Sequence, residues 1–474
     1  MAVKTSRFTE TLTDGRTALW AAVGVFLLVL QFGALANFVV GLGIDAVLAL
    51  PGVESVGFLT SLENALQSIP TLLSRETVPN QGYYDGSGYE GTFLGLAPAM
   101  AWALRATLIY LYAFAALGWV IWGLRIYRQE HRAADWTPRD DMLNRFRGHK
   151  WGIFGLVIVF MFVTMAVFAP ALGPTTVDQN MRNSYGHEIS YWDTETQSVE
   201  EVVVGQANLN SLSVGNDENV GLWTYDDYGR FHPFGTMQNG RDLFTFLAVG
   251  SRISLVIGVL SVALSASIAA SLALTSAYYK GRIDLGMVLV SDAVMAMPQL
   301  LLLIMLTTVL RETWISDVYS GGFLLALIFA FTGWTYMWRS IRGPALQISE
   351  REWIDAARSF GQTPLTIMRK HMLPYVTGYL LIYGSMTLGG AIISIAGLSF
   401  LGLGVQPPTP EWGRAINLGQ DYVRTGSWHI SLIPGILITL VVTGFNALGD
   451  GIRDAIDPQS DSAGGETAGA GGGA

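Results

Sequence analysis

Apolar runs separated by polar, charge-bearing stretches set the pattern of this chain. They fall at about 18–40, 93–124, 151–172, 243–277, 285–310, 323–338, 375–398 and 430–448, eight in number. Most reach the roughly 20 apolar residues that a helix needs to cross the hydrocarbon core. The run at 323–338 is the shortest, and its ends extend into the flanks. The pattern predicts an all-α integral membrane protein. An even number of spans places both termini on one side.

One polar stretch, residues 349–375, stands out between two of these runs. Ser349 with Glu352 three residues on reads as a capping box, which predicts a helix from Glu350. Trp353, Ala357 and Phe360 recur at helical spacing as an apolar stripe, with Ala356 beside it. Gly361 suits the C′ position that stops such a helix. Thr363 and Pro364 cap and open a second short helix, and Pro374 ends the polar region. Two short helices joined at a glycine, with small residues on one face, suit docking into another protein's cleft. The plainer reading is an amphipathic helix lying at the membrane interface.

Charge chooses the side. The segments before the first run and between the second and third carry Lys4, Arg7 and Arg16, then Arg125, Arg128, Arg132, Arg139, Arg145, Arg147 and Lys150. The polar stretch and its approach add Arg339, Arg342, Arg351, Arg358, Arg369 and Lys370. Residues 41–92 instead hold one basic and six acidic residues, and residues 173–242 three basic and eleven acidic. The positive-inside rule therefore puts both termini and the polar stretch in the cytoplasm of a multi-pass plasma-membrane protein.

Composition agrees: 51% of the 474 residues are hydrophobic and 14% charged, where a soluble domain carries about 25% charged residues. The first run is too long for a cleavable signal peptide and lacks a small-residue cleavage site, so it reads as an anchor. With no cysteine in the sequence, disulfides, thiol catalysis and thiolate metal sites are excluded. The six histidines are scattered without paired ligand spacing, so no metal site is expected. Nothing supports nucleic-acid binding.

The spacing D-A-A-x3-G-x11-L-P, on Asp355, Ala356, Ala357, Gly361, Leu373 and Pro374, resembles the "EAA" loop of permease subunits in binding-protein-dependent ABC importers. Asp355 stands where that loop usually has Glu. Three more blocks resemble the dipeptide/oligopeptide/nickel class in order along the chain. They are R-F-R-G-H-K-W-G-I-F-G from Arg145, H-P-F-G-T-M-Q-N-G-R-D from His232, and I-A-G-L-S-F-L-G-L-G-V-Q-P-P-T-P-E-W-G with F-N-A-L-G-D-G-I-R-D-A-I-D-P. Met237 departs from that class, which usually has Asp there. The resemblance covers about residues 140–458 and implies a six-span permease core carrying two extra N-terminal spans.

That places an N-terminal extension at 1–139, the permease domain at 140–458 with its coupling loop at 349–375, and a disordered Gly-rich tail at 459–474. The resemblance implies that this loop, with Glu352, Asp355, Ala356, Ala357, Gly361, Leu373 and Pro374, meets a cytoplasmic ABC ATPase. A second permease subunit and an extracytoplasmic solute-binding protein are implied as partners in the lipid bilayer. The chain has no G-x-x-x-x-G-K-[ST] phosphate loop, so ATP belongs to the partner subunit. No cofactor and no catalytic residue are expected in this chain, which is not an enzyme. The solute leans to di- and oligopeptides, the class also carrying nickel. The alternative is a stand-alone secondary transporter or channel.

Within the core spans Asp292 is a candidate for gating or helix packing, or else for solute contact, and Pro298 should kink its helix. Arg105 in the second run reads as a functional site, a snorkelling side chain or a pair at a helix interface. E-V-V-V and G-L-W-T-Y between the third and fourth runs are short-strand candidates, for a small subdomain or a solvated acidic loop. His232 reads as part of a structural turn, with Arg241 and Asp242 at the membrane surface.

Overall fold

The computed structural model describes residues 15–48, 61, 75–132 and 137–456. Lys4, Arg7 and the expected tail at 459–474, with Asp457 and Pro458 before it, lie outside the described residues. Seven described helices are long and apolar enough to cross a membrane, or eight if one bent pair counts as a span. All eight apolar runs thus lie on helices. The chain divides into two compact units, Met1–Thr137 with Val163–Arg252 and Leu418–Ile433, and Pro138–Phe162 with Ile253–Asn417 and Pro434–Ala474.

In the first unit, α1 (Gly15–Leu48) pairs with α2 (Pro98–Ile126). The rings of Trp20 and Trp119 stack at 4.7 Å. Each indole N–H donates to the other residue's carbonyl, at 3.1 and 2.8 Å. In hydrocarbon an unpaired indole N–H is costly, so the reciprocal bonds fix the register of the pair. Gly24 lies under Trp119 and Gly123 under Trp20, and a Cβ at either position would strike the indole.

Arg105 neither snorkels nor seeks water. It is fully buried on α2, donating from Nη1 to the Val78 carbonyl at 2.8 Å and from Nη2 to the Gly173 carbonyl at 2.9 Å. Arg75 donates to that same Gly173 carbonyl at 2.7 Å and to Pro170 at 3.0 Å. Trp102 adds a bond to the Leu172 carbonyl at 2.8 Å. Arginine works here because its planar fork gives several fixed donors to carbonyls that helix ends leave unpaired.

The segment after α3 (Pro138–Gly148) and α4 (Lys150–Val167) forms a polar loop domain within this unit. Hairpin β1–β2 (Tyr83–Tyr84, Tyr89–Glu90) precedes α2. Then β3 (Glu188–Asp193) pairs antiparallel with β4 (Ser198–Val203), followed by α5 (Val204–Leu209) and the β5–β6 pair (Thr224–Tyr225, Phe231–His232). Of the expected strand segments, Glu201–Val203 lies in β4 while Val204 opens α5, and only Thr224–Tyr225 of G-L-W-T-Y is strand, so the loop carries a small subdomain with shorter strands than expected. The partner strand β3 has too mixed a pattern, E-I-S-Y-W-D, to be read from sequence.

His232 is structural, buried between Asp226 and Asp242, with Nε2 3.4 Å and Nδ1 3.0 Å from their carboxylates. Asp242 is buried at the start of a membrane-span helix. Its Oδ1 accepts the Thr245 backbone N–H at 2.6 Å, capping the first turn of α6 (Leu243–Tyr279). Asp226 also takes Arg230 Nε at 2.6 Å and Ser211 Oγ at 3.0 Å. Burial acts most strongly on both His232 and Asp226 and opposes their charge, yet the pairing wins. Hydrogen bonds from His232 and the Arg230 charge hold Asp226 below 3.8, and the two aspartates hold His232 above 6.5.

The pH dependence follows with opposite signs. The stability from His232 is complete below 6.5 and is lost as pH rises through its elevated folded value. The stability from Asp226 is complete above 3.8 and is lost as pH falls through its depressed value. Thermal melts across pH are expected to show a plateau between these limits. His232→Gln should remove the alkaline decline and lower the plateau; an unchanged alkaline limb would contradict the assignment.

In the second unit α4 crosses α14 (His429–Ile456) through glycine. Gly152 faces Gly451, and Gly155 faces the backbone from Gly444 to Leu448, the close approach that membrane helices make with small residues. His149 closes one end on Asp454 at 3.0 Å, and Phe162 meets Trp412 at 5.4 Å and Phe445 at 6.3 Å.

The expected span at 285–310 is two helices, α7 (Gly281–Met295) and α8 (Gln299–Leu310), set at 84° to one another. Pro298 is the N-cap of α8, so the proline breaks the helix where a kink was expected. The short run at 323–338 belongs to α9 (Gly322–Ser349), which carries Arg339 and Arg342 on the helix itself. Ile253 and Ile257 of α6, Leu303 of α8, Leu324, Leu325 and Ile328 of α9, and Ile395 and Leu398 of α12 (Leu373–Phe400) share one core cluster. The signature segment after α12 leads to α13 (Trp412–Gly419), with Glu411 and Trp412 fully buried.

Candidate functional site

The polar stretch at 349–375 begins later than its sequence implies. Helix α9 runs through Ser349, whose Oγ donates back to the Leu346 carbonyl at 2.7 Å. The capping box with Glu352 does not form, because Ser349 is helical and not extended. Arg351 (φ −77°, ψ 141°) is the N-cap instead, and α10 spans Glu352–Ser359.

Gly361 closes α10. It has φ +73°, its N–H donates to the Arg358 carbonyl at 2.9 Å, and the Gln362 N–H donates to the Ala357 carbonyl at 3.2 Å. This is the double bond pattern of a Schellman end, which requires the left-handed conformation that glycine adopts without a Cβ penalty. Thr363 then caps α11 (Pro364–Ile367), accepting the Thr366 N–H at 3.4 Å, with Pro364 at the first helical position. This second helix is not a separate element. It runs through a π turn, Met368–Met372, straight into α12.

The buried face of α10 differs from the expected stripe. Ile354 and Ala357 are 0% and 5% exposed, whereas Trp353 is 43% and Phe360 86% exposed. Apolar residues lie on two sides of this eight-residue helix, and periodicity alone does not say which side meets the core. Ile354, Ala357, Ile367, Met372 and Val376 join Ala273, Leu274 and Ala277 of α6 and Trp338, Ile341 and Ala345 of α9 in one cluster. Arg358 lies over the Tyr278 ring at 4.6 Å and reaches Asp355 at 3.3 Å, which ties α10 to the end of α6.

Beside the buried face an exposed apolar patch is left open. Phe360, Leu365 (71% exposed) and Trp353 stand out with Ala356, and Trp353 stacks on Tyr375 at 5.8 Å. Of the candidate residues, Glu352, Asp355, Ala356 and Gly361 are exposed, while Ala357 faces the core. Leu373 and Pro374 begin α12, half-buried and exposed respectively.

Asp292 and Pro298 are elsewhere, at the α7–α8 break. Asp292 forms an ion pair with Arg339 of α9, and both side chains are about half exposed, at 49% and 46%. Beside it lies a stronger cluster that sequence reasoning missed. Asp284 of α7 is gripped by both nitrogens of an Arg342 fork, Nε at 2.7 Å, and takes a bond from Ser276 of α6. The signal was two arginines three apart on one helix, at 339 and 342, facing two acids eight apart on another. Among the described residues no group of three His, Cys, Asp or Glu could hold a metal ion.

Residues 253–461, which include the whole polar stretch, match the family described as the binding-protein-dependent transport system inner membrane component. Residues 137–187 match the N-terminal TM domain of oligopeptide transport permease C. The chain is 32% identical over 323 residues to the glutathione transport system permease protein GsiD of Escherichia coli O157:H7 and of Shigella boydii serotype 4, covering 68% of this chain and 91% of each relative. It is 31% identical over the same length to the protein of that name from Shigella dysenteriae serotype 1. This chain belongs to the family of binding-protein-dependent transport system inner membrane components. Its all-α architecture is that of such a permease, and residues 1–136 precede both family matches. As a permease component of an ABC importer it is a multi-pass inner-membrane protein.

Proposed function

We propose that this permease forms half of the transmembrane pathway of an ATP-driven importer for di- or oligopeptide-type solutes, coupled to a separate ATPase through α10. The observation that carries the coupling is the exposed apolar face of Phe360, Leu365 and Trp353, on a helix whose other face is fixed in the core. An 86% exposed phenylalanine beside arginines and acids is a surface that awaits a partner. Glu352, Asp355, Ala356 and Gly361 lie on or beside that surface, and Ala357 and Leu373 seat it. A second permease, two ATPases and a solute-binding protein complete the assembly, and ATP hydrolysis belongs to the ATPases.

The charge asymmetry of the loops supports an orientation with α10 and both termini in the cytoplasm. The peptide assignment is supported by the match to oligopeptide permease C and by relatives named for transport of glutathione, itself a tripeptide. In this reading residues 1–139 are an addition to the permease domain at 140–458. Proteoliposomes holding the complete importer are expected to take up labelled trialanine when ATP is inside and the solute-binding protein outside. Uptake of peptide without ATP would favour a stand-alone transporter, and ATP-driven uptake that excludes every short peptide would contradict the solute class.

A further inference from the structure

A cavity of about 380 Å³ lies within the second unit, where α8 ends, α9 begins and the segment after α12 turns back. Its volume is in the range of small-ligand pockets. Helix α9 runs 28 residues from the cavity towards α10, about 40 Å at the helical rise, so the two stand at opposite ends of a span. With α10 in the cytoplasm, as proposed above, the cavity is on the extracytoplasmic side. Buried Thr307 of α8 and buried Leu324 and Leu325 of α9 line it, and the exposed Arg311 and Asp317 stand at its rim.

Three features say what would fit. First, the rim carries a cation and an anion that the protein leaves unmatched. Arg311 and Asp317 form no ion pair with each other or with any other described residue. Asp317 stands at the N-cap of the turn Val318–Gly321, yet its side chain makes no capping bond. Second, Arg311 is positioned. Its Nη2 donates to Gln406 Oε1 at 2.9 Å, while Gln406 Nε2 donates to the Gly404 carbonyl and the Gln406 N–H to the Ser320 carbonyl, each at 2.9 Å. One guanidinium N–H is thereby used, and the fork keeps donors for a carboxylate. Third, the wall between the charges is strained. Tyr319 (φ 56°, ψ 39°) and Ser320 (φ 53°, ψ 39°) are consecutive non-glycine residues in the left-handed region, followed by Gly321 at φ +90°. Such backbone persists only where its surroundings hold it, and it clusters at ligand sites. Here Ser320 is held by the Gln406 N–H and by the Thr409 hydroxyl, which donates to its Oγ at 2.8 Å. Gln406 thus fixes both the arginine and the strained turn.

We propose that this cavity is a solute subsite of the permease, taking a di- or tripeptide with free termini. The peptide carboxylate meets Arg311, its ammonium meets Asp317, and its small side chains lie against Leu324 and Leu325. A sugar offers neither charge a partner, so the site selects by zwitterionic character. The subsite rests on the importer reading for its solute class and its side of the membrane, but binding itself needs neither ATP nor the partner subunits.

The test is isothermal calorimetry on the purified full chain in lipid nanodiscs, with dialanine and trialanine as probes. Saturable binding of at least one of them, at one site, is expected. The N-acetylated form and the C-terminal amide of the tighter peptide each lack one charge, and both should bind at least tenfold more weakly to the unaltered protein. Arg311→Gln should weaken the free peptide at least tenfold yet leave the affinity of the amide unchanged. Asp317→Asn should weaken the free peptide likewise yet leave the N-acetylated form unchanged. A merely structural role would weaken every ligand together. Both side chains are exposed, thermal melts check that the variants fold, and the capped peptides need no variant. Absence of saturable binding, equal affinity for the capped peptides, or equal binding of maltotriose would overturn the proposal. Negative calorimetry alongside ATP-driven peptide uptake by the full importer would remove the subsite and leave the importer reading intact. Saturable peptide binding without ATP-driven uptake would keep the subsite and remove the importer reading.

Discussion

Gly361→Val is expected to abolish ATP-coupled uptake while leaving the membrane bundle inserted and folded. The residue has φ +73° and ends α10 by donating its N–H to Arg358. A left-handed conformation costs an ordinary L-residue about 1–2 kcal/mol, and a β-branched one suffers most. No atom outside its neighbours lies within 4 Å of a Cβ built there, so the bundle is not pushed apart. The strain falls instead on the turn that sets Phe360 against Leu365, the exposed face proposed to meet the ATPase. Asparagine enters the left-handed region more readily, so Gly361→Asn should keep most uptake. Equal loss in both variants would point to side-chain bulk at an interface. Full uptake in the valine variant, with the chain inserted, would remove Gly361 from the coupling account.

The second large effect is expected at Asp284. Its carboxylate joins Ser276 of α6 and Arg342 of α9 to α7, and α6 and α9 form the seat of Ile354 and Ala357. Arg342→Ala leaves a partly exposed carboxylate with one hydroxyl partner, at a cost of about 1–2 kcal/mol for the lost charge-assisted bonds. ATPase activity in the assembled importer should then run without matching uptake, because the seat of α10 no longer moves with the bundle. The double exchange Asp284→Arg with Arg342→Asp should recover part of the coupling and much of the thermal stability. No recovery would place the importance of Arg342 elsewhere, for instance in its position over Trp338 at 5.7 Å.

How far the sequence discloses this molecule depends on the range of the physics involved. Span positions are legible because burial in hydrocarbon demands long apolar runs. Gly361 and Thr363–Pro364 are legible because backbone conformation and capping act over a few residues. The failures all involve partners distant in sequence. Ser349 was read as a cap, but α9 packs through that position and keeps it helical. Trp353, Ala357 and Phe360 were read as one apolar stripe, but of the three only Ala357 meets the core, because Ala273, Ala277 and Ile341 choose the side of α10 they cover. Arg105 left three readings open until the carbonyls of Val78 and Gly173 were seen to receive it. Asp292 left gating, helix packing and solute contact open until Arg339 of α9 was seen to pair with it.

If α10 is where a cytoplasmic ATPase meets this permease, the lack of cysteine in the sequence allows a direct test. A single cysteine at exposed Ala356 would be combined with single cysteines at the cleft of the ATPase subunits, and oxidative cross-linking followed with and without ATP. A cross-link whose yield changes with nucleotide is expected, and none from a cysteine at Leu94, which lies 83% exposed at the foot of α2. Failure to cross-link from every exposed position between Glu352 and Gly361, in correctly inserted and assembled protein, would contradict that placement of the ATPase.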